Sequence, residues 1–311
     1  MENETMTVYI DNEFDGRTVL QLLSAYGFSR KSVSRLKRLE HGIELNGAHV
    51  TVRAVLHTGD LLYLETSDTE DDTADIAVPA PLPLDIIYED EYIVVPNKPA
   101  GMPTHPSHGH YNDSLANALS YIYRDSPFVF RPINRLDRDT SGAVLVAKDK
   151  RTASLLAAQM EKHGITKKYI AVVNGAPQPE EGVIKTYIRR TADSIITREA
   201  VTEELPGSKE AVTVYKTLCR GNGMSALLCE PVTGRTHQLR VHFAFKGCPI
   251  VGDTLYGSAS GSISRQALHA VSLSFVHPCT NEELTLRAPL HEDMKKLLKE
   301  NFPECYKDDL I

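Results

Sequence analysis

Apolar and polar positions change period repeatedly along this chain, and each change marks an element. Val19, Leu20, Leu22 and Leu23 fall at helical spacing, which predicts a helix over Asp15–Tyr26. Ser29 is suited to cap a second helix over Arg30–Glu40. Ile43-Glu44-Leu45 and His49-Val50 then flank Asn46-Gly47, the residue pair that best tolerates the positive φ angles of a two-residue hairpin turn. A further short strand is expected after the Gly59-Asp60 turn. Later strands are predicted at Leu84–Tyr88, Tyr92–Val95, Tyr169–Val173, Ala211–Leu218 and Met224–Glu230. Ala143–Ala147 is apolar without alternation, the pattern of a strand buried on both faces. Helices are predicted at Thr152–His163, closed by Gly164, and at Thr236–Lys246, with Thr236 as cap and Gly247 as left-handed terminator. Strands that mostly follow strands, with few long crossovers, indicate an α+β fold with a mostly antiparallel sheet rather than a doubly wound one.

The same pattern divides the chain. Residues 1–65 form a small unit of helices and a hairpin. Residues 66–83 are acidic and then rich in Pro and Ala, the composition of an extended linker. Residues 84–303 form the large unit, and 304–311 are a tail. The net charge of −7 argues at first against a nucleic-acid partner, but its distribution reverses that inference. Between Phe28 and Arg38 stand Arg30, Lys31, Arg35, Lys37 and Arg38 with no acid among them. On the predicted helix Lys31, Arg35 and Arg38 form one stripe, suited to RNA phosphates; a merely solvated face is the alternative. The five cysteines are odd in number and never C-x-x-C, which argues against a disulfide framework and against structural zinc. No early basic-then-apolar segment resembles a signal peptide, and no run reaches the about 18 apolar residues of a membrane span. A cytoplasmic protein without membrane contact is expected.

Candidate chemistry centres on residues 131–147, R-P-I-N-R-L-D-R-D-T-S-G-A-V-L-V-A. Asp137 lies between Arg135 and Arg138, ahead of a Thr-Ser-Gly turn. Flanking guanidinium groups favour the ionised carboxylate, which suits a nucleophile better than a proton donor. The competing reading is a structural Asp that caps the turn. Three further segments stand with it: Asn97-Lys98-Pro99-Ala100-Gly101-Met102, Lys167-Lys168-Tyr169 at the mouth of a strand, and Thr233-Gly234-Arg235-Thr236-His237-Gln238-Leu239-Arg240 at a helix start.

In this order and spacing, with Gly252-Asp253-x-x-Tyr256-Gly257 and Arg265-Gln266-Ala267-Leu268-His269-Ala270, these segments resemble the RluA/RluD-type RNA pseudouridine synthases over about residues 84–290. The amino-terminal unit resembles the alpha-L RNA-binding motif first named in a small-subunit ribosomal protein, through Ser29-Arg30-Lys31, Glu44-Leu45-Asn46-Gly47 and Gly59-Asp60. The resemblance implies that Asp137 is the catalytic aspartate and Tyr169 the active-site tyrosine against the target base. It implies that Arg235 pairs with the carboxylate and that Arg135 fills the gap left by a flipped uridine. It also implies uridine-to-pseudouridine isomerisation in structured RNA, large-subunit ribosomal RNA or transfer RNA. The reaction needs no redox, phosphate or metal chemistry, so no cofactor is expected, and a monomer is the default while the sequence leaves oligomeric state open. Breaking the glycosidic bond gives an oxocarbenium-like ribose that a carboxylate can attack or support, and either a ribosyl ester or a glycal is compatible with these residues. The target must leave its stack. Asn134 departs from the family's commoner His, which suggests altered loop bonding or an RNA contact.

Two other signals carry less. His105-Pro-Ser-His108-Gly-His110 lacks acidic or Cys partners at metal-ligand spacing, and His237 and His242 lack the glutamate of a zinc-protease helix, so no metal is expected. A catalytically silent RNA-binding factor on the same fold is the rival reading. Departures at Asp137, Tyr169 or Arg235 would favour it, and none occurs.

Overall fold

The computed structural model describes residues 5–26, 28, 33–34, 36–65, 77–126 and 128–303. Its elements in chain order begin with β1 (Thr5–Tyr9), α1 (Val19–Ala25), β2 (Ile43–Leu45), β3 (Ala48–His49) and β4 (Leu61–Glu65). These strands form one sheet in the order β1-β4-β2-β3, antiparallel throughout. The predicted hairpin turn is present, with Asn46 at φ 53° and Gly47 at φ 80°. The Asn46 side chain holds it from the far side: its amide donates to Asp60 Oδ1 at 2.8 Å, and its Oδ1 accepts from Leu61 N at 2.8 Å. Helix α1 is shorter than its apolar pattern, because Thr18 and Gln21 form a reciprocal capping box that fixes its start. Strand β1 has no counterpart in the predicted elements. Val19, Leu22, Leu23, Leu36, Ile43, Leu56, Leu62 and Leu64 close a small core of this unit's own.

The second sheet contains β5 (Asp85–Glu89), β6 (Ile93–Lys98), β7 (Arg131–Pro132), β8 (Ser141–Ala143), β9 (Val146–Ala147), β10 (Thr166–Asn174), β11 (Glu181–Arg190), β12 (Arg198–Val201), β13 (Lys209–Gly221), β14 (Met224–Pro231), β15 (Leu268–Val276) and β16 (Glu283–Arg287). Its order is β12-β11-β13-β14-β10-β15-β8-β6-β9-β7, with β16 on β15 and β5 on β6. Among the described residues β8–β15 is its one parallel pairing, so the fold is a mixed α+β structure with a mostly antiparallel sheet. The helices are α2 (Leu115–Ile122), α3 (Lys150–Glu161), α4 (Gln238–Phe245) and α5 (Glu292–Asn301). None of the described helices is long and apolar enough to cross a membrane.

Residues 143–147 are buried on both faces, but not as one strand. Val144 and Val146 enter the cluster of Leu115 and Leu119, while Ala143, Leu145 and Ala147 enter that of Leu156 and Phe275. The ladder breaks between β8 and β9, and Asn134 fills the break. Its Oδ1 accepts from Leu145 N at 2.8 Å and its Nδ2 donates to Ala143 O at 3.3 Å. The departure at Asn134 is therefore a matter of loop bonding, since the side chain is buried. Gly142, at φ 115°, lies against the backbone of Ala270, where any Cβ would collide.

One predicted boundary moves. Residues 77–83 are not free linker: Asn117 donates to Val78 O at 2.7 Å and accepts Ala80 N at its carbonyl, and Leu82 packs on the larger core. Residues 66–76, the tail 304–311, and Ser29, Arg30, Lys31 and Arg35 of the predicted second helix lie outside the described residues.

Candidate active site

The Asp137 loop, residues 134–140, leaves β7 and enters β8, and side chains from distant elements hold it from below. Lys98, fully buried at the end of β6, donates to Pro99 O (2.8 Å), Met102 O (2.7 Å) and Arg138 O (3.0 Å). Burial, then the charge of Arg265, pushes its pKa down to about 7, against which three carbonyl acceptors favour the ammonium form. Thr104 donates to Leu136 O at 2.8 Å and accepts from Leu136 N. Arg265 donates to Asp139 O at 3.2 Å while its fork grips Asp293 at 2.6 and 2.9 Å. Gln266 reaches Thr140 Oγ1 at 3.2 Å. The backbone of Asp137 closes the turn through Thr140 N, so its carboxylate is not the turn's cap.

That carboxylate is 26% exposed and meets a buried arginine. Nη1 of Arg240 donates to Asp137 Oδ2 at 3.2 Å, and the same guanidinium grips Asp253 through Nε (2.7 Å) and Nη2 (2.9 Å). Asp253 is fully buried and also accepts the backbone N–H groups of Leu255 and Tyr256. The fork is thus fixed before it reaches Asp137. His237 Nε2 stands 3.9 Å from the same Oδ2. Tyr169, buried in β10, has its phenol pKa raised by burial and then by the Asp137 charge, which keeps the hydroxyl protonated beside the carboxylate.

The arrangement corrects the expected partner of Asp137. Arg235 does not touch it; its Nε donates to Glu210 O at 2.8 Å. The reason is where the helix starts. His237, not Thr236, is the cap, in the left-handed conformation at φ 57°, so α4 begins at Gln238 and Arg235 lies in the preceding turn. Arg240, in the first turn, is brought to the site instead. The usable sequence signal was Asp253 in the Gly-Asp-x-x-Tyr-Gly segment, an acid that needs a cation once buried. The flanking arginines are also elsewhere. Arg138 pairs with Asp139 at 2.8 Å, and Arg135 is exposed, close enough to His105 to help lower that imidazole's pKa after burial. Arg38 is exposed in the amino-terminal unit. Among the described residues no three His, Cys, Asp or Glu side chains gather as metal ligands; His110 binds Asp113 at 2.7 Å and His105 packs edge-on against Phe130.

The sequence profile of the RNA pseudouridylate synthase family matches residues 92–245, which span the Asp137 loop, Tyr169 and Arg240. An uncharacterized RNA pseudouridine synthase of Bacillus subtilis, YjbO, is 38% identical over 91% of this chain and 98% of its own. The chain belongs to the RNA pseudouridine synthase family. Its members are isomerases, and the similarity extends to those of RluD type: ribosomal large subunit pseudouridine synthase D of Zymomonas mobilis is 36% identical over 73% of this chain and 78% of its own. Of solved structures, human RNA pseudouridylate synthase domain containing 4 is 27% identical with a TM-score of 0.56, covering 69% of this chain and 91% of that one. Human RNA pseudouridylate synthase domain containing 1 is 29% identical with the same score, covering 68% and 85%.

Proposed function

We propose that this synthase isomerises uridine in structured RNA, with large-subunit ribosomal RNA as the favoured target, and that Asp137 is the group that acts on the ribose of a flipped-out uridine. The observation that carries the reading is the carboxylate of Asp137, partly open to solvent, with Oδ2 held by a guanidinium that Asp253 has already fixed. Such preorganisation keeps the carboxylate aimed without reorganisation during the reaction. As the glycosidic bond breaks, that charge supports the electron-poor ribose carbon, whether by an ester or beside a glycal. In this reading Tyr169 offers an aromatic surface to the base after it leaves its stack, and Arg135, two residues before the nucleophile, enters the vacated gap; its exposure supports that role. Isomerisation moves no net electrons, so no cofactor or metal is called for.

The amino-terminal unit is the RNA anchor in this reading, an alpha-L-type module whose exposed Lys37 and Arg38 meet phosphates, with Arg30, Lys31 and Arg35 assigned the same role from sequence. The protein is assigned to the cytoplasm as a monomer. The test is a map of pseudouridines, by carbodiimide-primer extension, in ribosomal and transfer RNA from cells with and without the gene. Sites that vanish on deletion and return with wild type but not with Asp137→Asn support the reading and name the RNA. Return with Asp137→Asn overturns the role of Asp137, and an unchanged map favours the silent RNA-binding factor.

A further inference from the structure

Both contacts made to the carboxylate of Asp137 fall on one oxygen. Arg240 Nη1 lies 3.2 Å and His237 Nε2 3.9 Å from Oδ2. The imidazole is not loosely placed. Its side chain is 13% exposed, its backbone is fixed as the left-handed cap of α4, and its ring stands edge-on to Tyr256 with centroids 5.6 Å apart. The Tyr256 hydroxyl in turn is bound twice: it accepts the backbone N–H of Arg198 at 2.9 Å and meets His237 Nδ1 at 2.7 Å. The Arg240 guanidinium lies over the Tyr256 ring, 5.1 Å from its centroid.

From this geometry we infer that His237 is a positioning residue for the isomerisation, kept by Tyr256 in the tautomer that turns Nε2–H toward Oδ2, so that Oδ1 is the oxygen Asp137 presents to the nucleoside. The inference rests on the proposed role of Asp137. The Tyr256 oxygen keeps a second lone pair open to Nδ1–H, but that tautomer would turn the Nε2 lone pair onto the Asp137 carboxylate; the hydroxyl proton therefore goes to Nδ1, and the neutral imidazole carries its own proton on Nε2. At 3.9 Å this is a charge–dipole contact rather than a hydrogen bond. It favours the carboxylate with Oδ2 turned to Arg240 and His237.

The neutral state matters. The charged or titratable groups facing the imidazole are Asp137, Arg240, Arg198, Asp253 and Tyr256. Burial, opposed by Asp137 and aided by Arg240 and Arg198, holds its pKa below the ordinary 6.5. Protonation would add a second cation to Oδ2, making Asp137 a poorer nucleophile, and would make Nδ1 a donor that Tyr256 must turn to accept. Turnover therefore falls as the pH drops through the His237 pKa.

Three variants of the full-length protein test this, assayed for pseudouridine formation with saturating RNA and across pH. In His237→Gln the amide nitrogen can occupy the Nε2 position, whereas in His237→Asn, a residue at ease in the left-handed region, the shorter side chain reaches only the Nδ1 position. His237→Asn should lower kcat about 10- to 100-fold with KM held, the range met when an outer partner that orients a reacting group is removed. His237→Gln should recover most of that loss and abolish the acid limb of the kcat profile. Tyr256→Phe should lose activity to an intermediate degree and displace the limb. His237→Asn at wild-type kcat, or an acid limb unchanged in His237→Gln, overturns the inference. Asp137→Asn is run beside them: if it stays active, the reading of Asp137 itself fails, and if it is inactive while the His237 variants match wild type, only the present inference fails.

Discussion

The amino-terminal unit and the Asp137 loop are built on opposite principles. The unit closes its own four-stranded sheet over its own core, with a capping box on α1 and a two-residue hairpin turn, and leaves Lys37 and Arg38 exposed to solvent. The Asp137 loop is held by side chains remote in sequence, from Lys98, Thr104, Gln266 and Arg265, and the Arg240–Asp253 pair that meets its carboxylate is buried. The difference suits the roles proposed for each. Grip on a phosphate backbone is screened, additive and tolerant of position. Charge that supports a transition state must stand still, and only packing from several directions fixes it.

The largest expected effect breaks the loop's chemistry without its structure. Asp137→Asn is isosteric and partly exposed, so its melting temperature should stay near wild type while product formation falls on the order of 10^4-fold, as for other residues central to a reaction. Arg240→Met should fail on both counts. It removes the cation from fully buried Asp253, and breaking one side of a buried pair costs about 3–5 kcal/mol, readable by denaturant unfolding. Arg235→Ala sharpens the contrast: losing one hydrogen bond to the Glu210 carbonyl costs about 1 kcal/mol, and kcat should remain within about tenfold of wild type.

Acid should also separate the two regions. His269 and His242 are buried and neutral, His269 donating Nε2–H to Ala288 O and meeting Ser141 through Nδ1, His242 bonded to Thr186 and Thr213, with pKa values pushed down by burial to about 3 and about 4. Their folded pKa values lie below the unfolded 6.5, so the unfolded chain binds protons first and stability falls as pH drops from about 6.5 toward those values. The described histidines of the amino-terminal unit, His41, His49 and His57, are exposed. Hydrogen exchange at pH 7 and pH 5 should show protection falling in β15, α4 and β13 before β2 and β4; simultaneous loss would contradict this.

What could be read from sequence divides along the same line. The Asn46-Gly47 hairpin was legible because its cause lies within the turn. The apolar run 143–147 announced burial on both faces, but not the break between β8 and β9, which depends on Asn134 nine and eleven residues away from its partners. The family resemblance singled out Asp137 and Tyr169, and the fold brings the two within electrostatic reach of each other. It did not find Arg240, whose partners lie 13 and 103 residues away, and the start of α4 was misjudged because a left-handed His cap has no compositional signature. Adjacency to Asp137 in sequence was misleading: Arg138 belongs to Asp139.

The smallest effect should come from the surface. Lys37 and Arg38 are exposed in the amino-terminal unit, so replacing both by Ala should leave stability and kcat unchanged. If they meet phosphates, each removes one released counterion, and the plot of log affinity against log salt flattens by about 0.7–0.9 per contact. The pair should therefore bind RNA weakly at low salt and converge on wild type at high salt. An unchanged slope would mean that these cations only solvate the fold and that grip lies elsewhere. A changed kcat would mean that the unit does more than hold, and the division between a tolerant anchor and a fixed catalytic loop would have to be redrawn.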